Sequence, residues 1–156
     1  MAELLIKSGA AVNARRNGEI TPLHLASHHR TGSVEIAVLL LKHGAEISSR
    51  DFDDETPLHE AIINERTDTS ELLIKCGADV DARARLGGTP LFVAASHNCN
   101  ATFNLLIEYG AEMFANAHLD DELHDSTPLS AACGMDGCEG IMHLLLNSCA
   151  AGILLI

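Results

Sequence analysis

The sequence predicts an all-α solenoid, in which short helix pairs repeat along the chain and stack side by side. Two motifs recur through its 156 residues: a Thr-Pro-Leu step, and an apolar run that ends in Gly-Ala. Successive copies of each motif are 33 to 38 residues apart, which is the length of one supersecondary unit. A unit of that size cannot bury its apolar face alone, so neighbouring units have to stack.

The Thr-Pro-Leu step begins at Thr21, Thr56, Thr89 and Thr127. A threonine hydroxyl before a helix caps one of the free backbone amides, and proline at the first helical position loses nothing by lacking an amide hydrogen. Leucine and alanine then follow on one helical face. Each step is therefore predicted to open the first helix of a unit.

The apolar runs reach their glycine at Gly9, Gly44, Gly77 and Gly110, and a degraded fifth copy covers 144–150. Glycine is the residue that best tolerates the left-handed conformation found just after a helix. Each glycine is therefore predicted to end the second helix of a unit, before an extended loop leads to the next Thr-Pro.

These features together resemble the ankyrin repeat: Thr-Pro-Leu-His at 21–24 and 56–59, Gly-Ala-Asp-Val at 77–80, and a period near 33 residues. The resemblance implies antiparallel helix pairs, a β-hairpin-like finger projecting from each junction, and a concave face formed by the fingers and first helices. The whole chain, 1–156, then divides into a partial repeat at 1–13, repeats at 14–47, 48–80 and 81–113, and a modified terminal repeat at 114–152.

The resemblance assigns His24 and His59 to bracing the neighbouring finger. Phe92 and Ser130 replace that histidine in the later copies, so no such brace is expected there. Two extra residues lie near 29–32, and five extra residues lengthen the last finger within 114–126.

The two ends of the chain lack the polar outer face of a terminal repeat. The chain begins inside a second helix, and 153–156 is apolar. We therefore expect a segment of a longer array, with self-association through these uncapped ends.

Composition narrows the class of partner. The chain has 10 Lys and Arg against 22 Asp and Glu, for a formal net charge of −12. That balance argues against nucleic acid and anionic membranes, and favours a partner protein with a basic patch. Because no apolar run approaches the roughly 18 residues of a membrane span, membrane insertion is not expected.

Catalytic, cofactor and metal sites are not expected, although the chain has nine histidines and five cysteines. These residues do not follow the spacing of a zinc site, and the sequence has neither a nucleophile elbow nor a phosphate-binding loop. An odd cysteine count favours reduced thiols, hence a cytoplasmic or nuclear protein. Asn13 follows a pattern hydroxylated in some ankyrin repeats, but asparagine is also ordinary at that position, and both interpretations stay open.

The sequence therefore favours a non-catalytic protein–protein interaction module. The alternative is a targeting or substrate-receptor segment of a larger protein, such as a ubiquitin-ligase adaptor, a channel or a signalling scaffold. Acidic clusters surround Phe52 and Leu123, as in a solvated loop or a docking tip. The resemblance places the partner contacts at the finger tips and on the exposed side of the first helices: Asn17, Ile20, His28, His29, Phe52, Asp53, Glu55, Ile63, Asn64, Arg85, Leu86, Ser96, His97, Leu123, His124 and Met135.

Overall fold

The computed structural model describes residues 2–28, 32–115, 117–118, 125–133, 140–141 and 143. Within these residues the chain forms helices and one pair of very short strands. In order, the elements are α1 (Ala2–Lys7), α2 (Pro22–Ser27), α3 (Val34–Lys42), α4 (Pro57–Ile63), α5 (Thr67–Lys75), α6 (Pro90–Ser96), α7 (Asn100–Glu108), β1 (Ala117–His118), β2 (Asp125–Ser126) and α8 (Pro128–Cys133).

The helices form two rows. The first helices α2, α4, α6 and α8 pack against one another in sequence order, and α3, α5 and α7 form the second row behind them. The first helices α2, α4 and α6 also pack against the second helices that follow them, α3, α5 and α7. This arrangement confirms the predicted all-α solenoid of stacked helix pairs.

All four Thr-Pro steps open a helix, as predicted, since α2, α4, α6 and α8 each begin at the proline. In the second of them, Nδ1 of His59 lies 2.9 Å from the hydroxyl of Thr56 and accepts its backbone amide at 3.2 Å. The other ring nitrogen, Nε2, lies 3.2 Å from the carbonyl of Gly88. Because a carbonyl only accepts, Nε2 carries the proton, and the ring ties its own helix start to the next finger.

His24 repeats this arrangement one unit earlier, with Nδ1 2.8 Å from the hydroxyl of Thr21 and Nε2 3.1 Å from the carbonyl of Glu55. In the fourth copy, Ser130 Oγ still accepts the Thr127 amide at 2.8 Å, but its bonds stay within that helix start. Phe92 is instead buried, and its amide donates to Thr89 Oγ1 at 3.3 Å. At this position of the motif, the histidines of the first two copies therefore link their own repeat to the next finger.

The second helices end as predicted. Gly44, Gly77 and Gly110 have φ values of 84°, 90° and 84°, and the amide after each glycine donates to a carbonyl five residues back, as Ala78 does to Leu73 at 3.0 Å. This is the Schellman arrangement, which satisfies carbonyls that the helix leaves free.

The first three fingers are hairpin-like, as expected, but they do not contain regular strands. The first finger (16–20), the second finger (51–55) and the third finger (84–88) are tight turns, in each of which the amide of the first residue donates to the carbonyl of the last, as Asp51 does to Glu55 at 3.0 Å. One backbone hydrogen bond joins each pair of neighbouring fingers. The Phe52 amide donates to the carbonyl of Gly18 at 2.9 Å, and the Arg85 amide donates to the carbonyl of Asp53 at 2.8 Å. Among the described residues, a strand pair forms only in the longer last finger, where β1 pairs antiparallel with β2.

Arginines at equivalent positions join the bases of successive fingers. Arg15 Nη1 donates to the carbonyl of Arg50 at 3.1 Å, and Arg50 Nη1 donates to the carbonyl of Arg83. Asn13 makes a similar link, since its side-chain amide donates to Gly44 and its oxygen accepts from Glu46 at 2.9 Å. Asn13 therefore already has a structural role in the repeat junction.

The core lies between the two rows and is almost entirely aliphatic. Ala61 and Leu73 are fully buried in it, as predicted, together with Leu58, Leu91 and Leu106. Because the helices of each repeat pack against the corresponding helices of the next, truncation of one core side chain should destabilise more than its own repeat.

Leu73→Ala should lower the free energy of unfolding by about 2–5 kcal/mol, because it leaves a cavity between repeats. Leu86→Ala, at a side chain that is 55% exposed, serves as the matched control and should cost far less. Chemical denaturation measures both. Equal losses in the two variants would contradict the repeat register described above.

The buried ring of His59 should make stability depend on pH. Burial lowers the pKa of His59 from 6.5 to about 4, so the unfolded chain binds this proton at a higher pH than the folded one. Stability should therefore rise by about 2–3 kcal/mol as the pH increases from about 4 to about 6.5. The increase in stability with pH should be smaller in His59→Gln. The control variant His97→Gln, at an exposed histidine, should show the same increase as the parent. The same pH dependence in parent and His59→Gln would contradict this account.

Candidate functional site

The face formed by the fingers and first helices, which the resemblance predicts to be concave, carries an open groove between the second and third fingers. The groove has a volume of about 470 Å³ and is lined by Asp53, Glu55, Ala84, Arg85, Leu86, Gly88, Phe92 and Val93. Its floor comes from helix α6 and its walls from the two fingers. The corresponding groove one repeat earlier, beside Ile20 and His28, has a volume of only about 70 Å³.

Small residues in the third finger account for that difference. Gly88 precedes the Thr-Pro step at the position that Ile20 and Glu55 occupy in the first and second fingers. Ala84 likewise stands where the earlier fingers have Arg16 and Asp51. With less side chain on the third finger, the surface of α6 stays open.

The second finger is shaped by its own aspartate. Asp51 Oδ1 accepts the amides of Asp53 at 3.0 Å and Glu55 at 2.9 Å, which fixes the turn. Asp54 at the tip has a φ of 57°, a conformation that aspartate tolerates better than most residues. The half-buried Asp51 therefore organises the finger, while Asp53 and Asp54 are the carboxylates that it presents to solvent.

Phe52 and Leu86 carry most of the exposed apolar surface at these tips, with exposed fractions of 68% and 55%. The guanidinium of Arg85 lies over the Phe52 ring, 5.4 Å from its centre, and 3.8 Å from Asp53 Oδ1. A cation over an aromatic face is attracted to it. Arg85 is thus held by the second finger, and its charge is partly balanced there.

Glu55 is the most strongly perturbed acid of the groove. Its pKa is raised from 4.5 to about 7, first by burial and then by repulsion from Asp51, Glu60 and Asp53. Glu55 therefore carries only part of a charge near neutral pH.

The other predicted contact residues that the structure describes do not line this groove. Asn17 is exposed at the first finger tip, Ile20 and His28 are half-buried beside the small groove, and Ile63 and Asn64 end α4. Ser96 donates to the carbonyl of Phe92 at 2.9 Å, and His97 caps α6 in an exposed position. Four of the predicted residues lie outside the described part of the chain: His29, Leu123, His124 and Met135.

Sequence reasoning missed four lining residues of the groove: Ala84, Gly88, Phe92 and Val93. Their signal was a comparison between repeats. Val93 is apolar where α4 has Glu60, and Gly88 is small where the earlier fingers have larger side chains. An apolar residue at Val93 together with a small residue at Gly88 predicts an open apolar patch at this repeat.

Within the described part of the chain, no group of three His, Cys, Asp or Glu side chains is arranged to hold a metal ion. None of the helices described is long and apolar enough to cross a membrane. Cys76 is an exposed free thiol, and burial raises the pKa of the free thiol of Cys99.

Stacked helix pairs joined by projecting fingers define a repeat solenoid. A family model of ankyrin repeats in three copies matches residues 1–84 and 49–117, and the chain belongs to the ankyrin-repeat family. Ankyrin repeats are generally protein–protein interaction modules and are typically non-catalytic. No curated protein matched the chain.

Replacement of Glu55 should remove a second source of pH dependence. Because its pKa is raised, the folded state holds this proton from about pH 4.5 to about pH 7, and stability falls as the pH rises through that window. Glu55→Gln should therefore be more stable than the parent above about pH 7, by about 1 kcal/mol once solvent screening of this half-exposed group is allowed for.

The control is Asp54→Asn, at an exposed carboxylate on the same turn. Denaturation at several pH values compares the three proteins. A Glu55→Gln variant that is less stable than the parent above pH 7 would show that the charge of Glu55 is not unfavourable in the folded state.

Proposed function

We propose that this chain is a non-catalytic module that binds a partner protein on its concave face, with the second and third fingers at the centre of the interface. The observation that carries the proposal is the pair of exposed apolar side chains, Phe52 and Leu86, on adjacent finger tips beside an open groove. Exposed apolar side chains beside a groove contribute binding energy when a partner removes them from water.

Rigidity supports the same proposal. The backbone bonds between successive fingers, together with the arginine links below them, hold the tips in place before a partner arrives. A surface that is already ordered loses less entropy on binding than a flexible one. The fixed fingers are therefore suited to recognition without a further folding step.

The net charge of −12 supports a partner with a basic patch. Opposite charges mainly accelerate association and disfavour wrong partners, while buried apolar contacts slow dissociation. The screening length is about 8 Å at physiological salt, so only charges close to the interface matter. Asp53 and Glu55 are the acidic groups that line the groove, and Asp54 is exposed beside them on the same finger.

Affinity capture from cell extract tests the location of the interface with three baits. The parent and Tyr109→Ala, which removes an exposed aromatic outside the groove lining, should retain the same proteins. The double variant Phe52→Ala, Leu86→Ala should lose the proteins that bind the concave face. Retention of every protein by the double variant, or their loss with Tyr109→Ala alone, would contradict the proposal.

A further inference from the structure

The groove between the second and third fingers combines an apolar floor with an acidic wall. Leu86, Phe92 and Val93 provide the apolar surface, and Asp53 and Glu55 line the facing side. Its volume of about 470 Å³ lies within the range of roughly 300–1,000 Å³ that is usual for ligand sites. The groove is therefore large enough to take side chains of a partner rather than a flat contact alone.

The charges around the groove are unbalanced. The groups that repel the charge of Glu55 are Asp51 and Asp53 on its own finger and Glu60 on α4. From α2, Nε2 of His24 lies 3.1 Å from the backbone carbonyl of Glu55. The cation of the facing finger, Arg85, lies over Phe52 and beside Asp53. A basic side chain entering the groove would relieve this repulsion.

We propose that this groove binds a peptide segment of the partner in which an apolar side chain contacts Leu86, Phe92 and Val93 while a neighbouring lysine or arginine pairs with Glu55 and Asp53. This inference rests on the proposed function, because it specifies the chemistry that the concave face would recognise. Burial of the apolar side chain against the floor of the groove and ion pairing of the basic side chain with the carboxylates would both favour binding.

A consequence is that binding should be coupled to a proton. A cation beside Glu55 favours its ionised form, so the peptide has to displace the proton that Glu55 holds below about pH 7. Binding should therefore weaken as the pH falls through that value. The other titratable or charged groups described near Glu55 are Asp51, Asp53, Glu60, His24 and Arg85. All of them are unchanged when the Glu55→Gln variant is compared with the parent.

Gly88 offers a way to close the groove without disturbing the fold. It lacks the left-handed φ of a glycine turn, and an added Cβ would lie 3.7 Å from Phe92 Cδ1, an ordinary contact. Isoleucine already occupies the equivalent position in the first finger, at Ile20. Gly88→Ile should therefore fold and fill the groove, and Gly88→Ala should fold and leave most of it open.

The experiment selects binders to the full chain from a random peptide library displayed on phage. Selected peptides should share an apolar residue beside lysine or arginine. In titrations by fluorescence anisotropy they should bind Gly88→Ile about tenfold or more weakly than the parent, and Gly88→Ala within about twofold of it. They should bind the parent about tenfold more weakly at about pH 6 than at about pH 8, and this difference should vanish in Glu55→Gln.

Each other outcome overturns the inference in a distinguishable way. Selected peptides without a basic residue, or with equal affinity for Gly88→Ile and the parent, would exclude this groove chemistry. If such peptides still lost binding in the Phe52→Ala, Leu86→Ala variant, the concave interface of the proposed function would stand. Failure to enrich any peptide would overturn the inference, whereas binding lost only with Tyr109→Ala would count against both proposals.

Discussion

Each repeat of this chain depends on the next one for burial of its apolar face, and the rest of the structure follows from that dependence. Short helices such as α4 (Pro57–Ile63) have too few residues to be stable alone. They persist because Leu58 and Ala61 are buried between helix rows, and because His59 joins the start of its helix to the carbonyl of Gly88 in the next finger. The same stacking sets the fingers side by side, so the stability of the solenoid and the geometry of its concave face have a common origin.

The groove depends on what one finger lacks. Gly88 and Ala84 leave the surface of α6 uncovered, and the acidic second finger faces that opening. Glu55 is unfavourable there as an anion in the free protein, whereas His59 is unfavourable as a cation, so their contributions to stability change with pH in opposite directions. The unfavourable charge of Glu55 lies beside an open apolar surface, which is where binding of a cation could relieve it.

Much of the fold could be predicted from the sequence because its determinants are local. Thr-Pro at Thr56 and glycine at Gly77 have the same preferences in any context, and their repetition left little freedom in the architecture. The candidate site was predicted less completely. The contact between Phe52 and Arg85 joins residues 33 positions apart, and the opening of the groove reflects the absence of a side chain at Gly88. Neither has a local motif, so both require the neighbouring repeats to be placed together.

The central claim is that the second and third fingers contact a partner protein. Site-specific photocrosslinking tests it most directly, with benzoylphenylalanine placed at Leu86 in one protein and at Tyr109 in another, both exposed positions. The account predicts that the probe at Leu86 forms a covalent adduct with a specific partner in cells, and that the probe at Tyr109 does not. Adducts from Tyr109 with none from Leu86 would place the interface elsewhere and contradict the account.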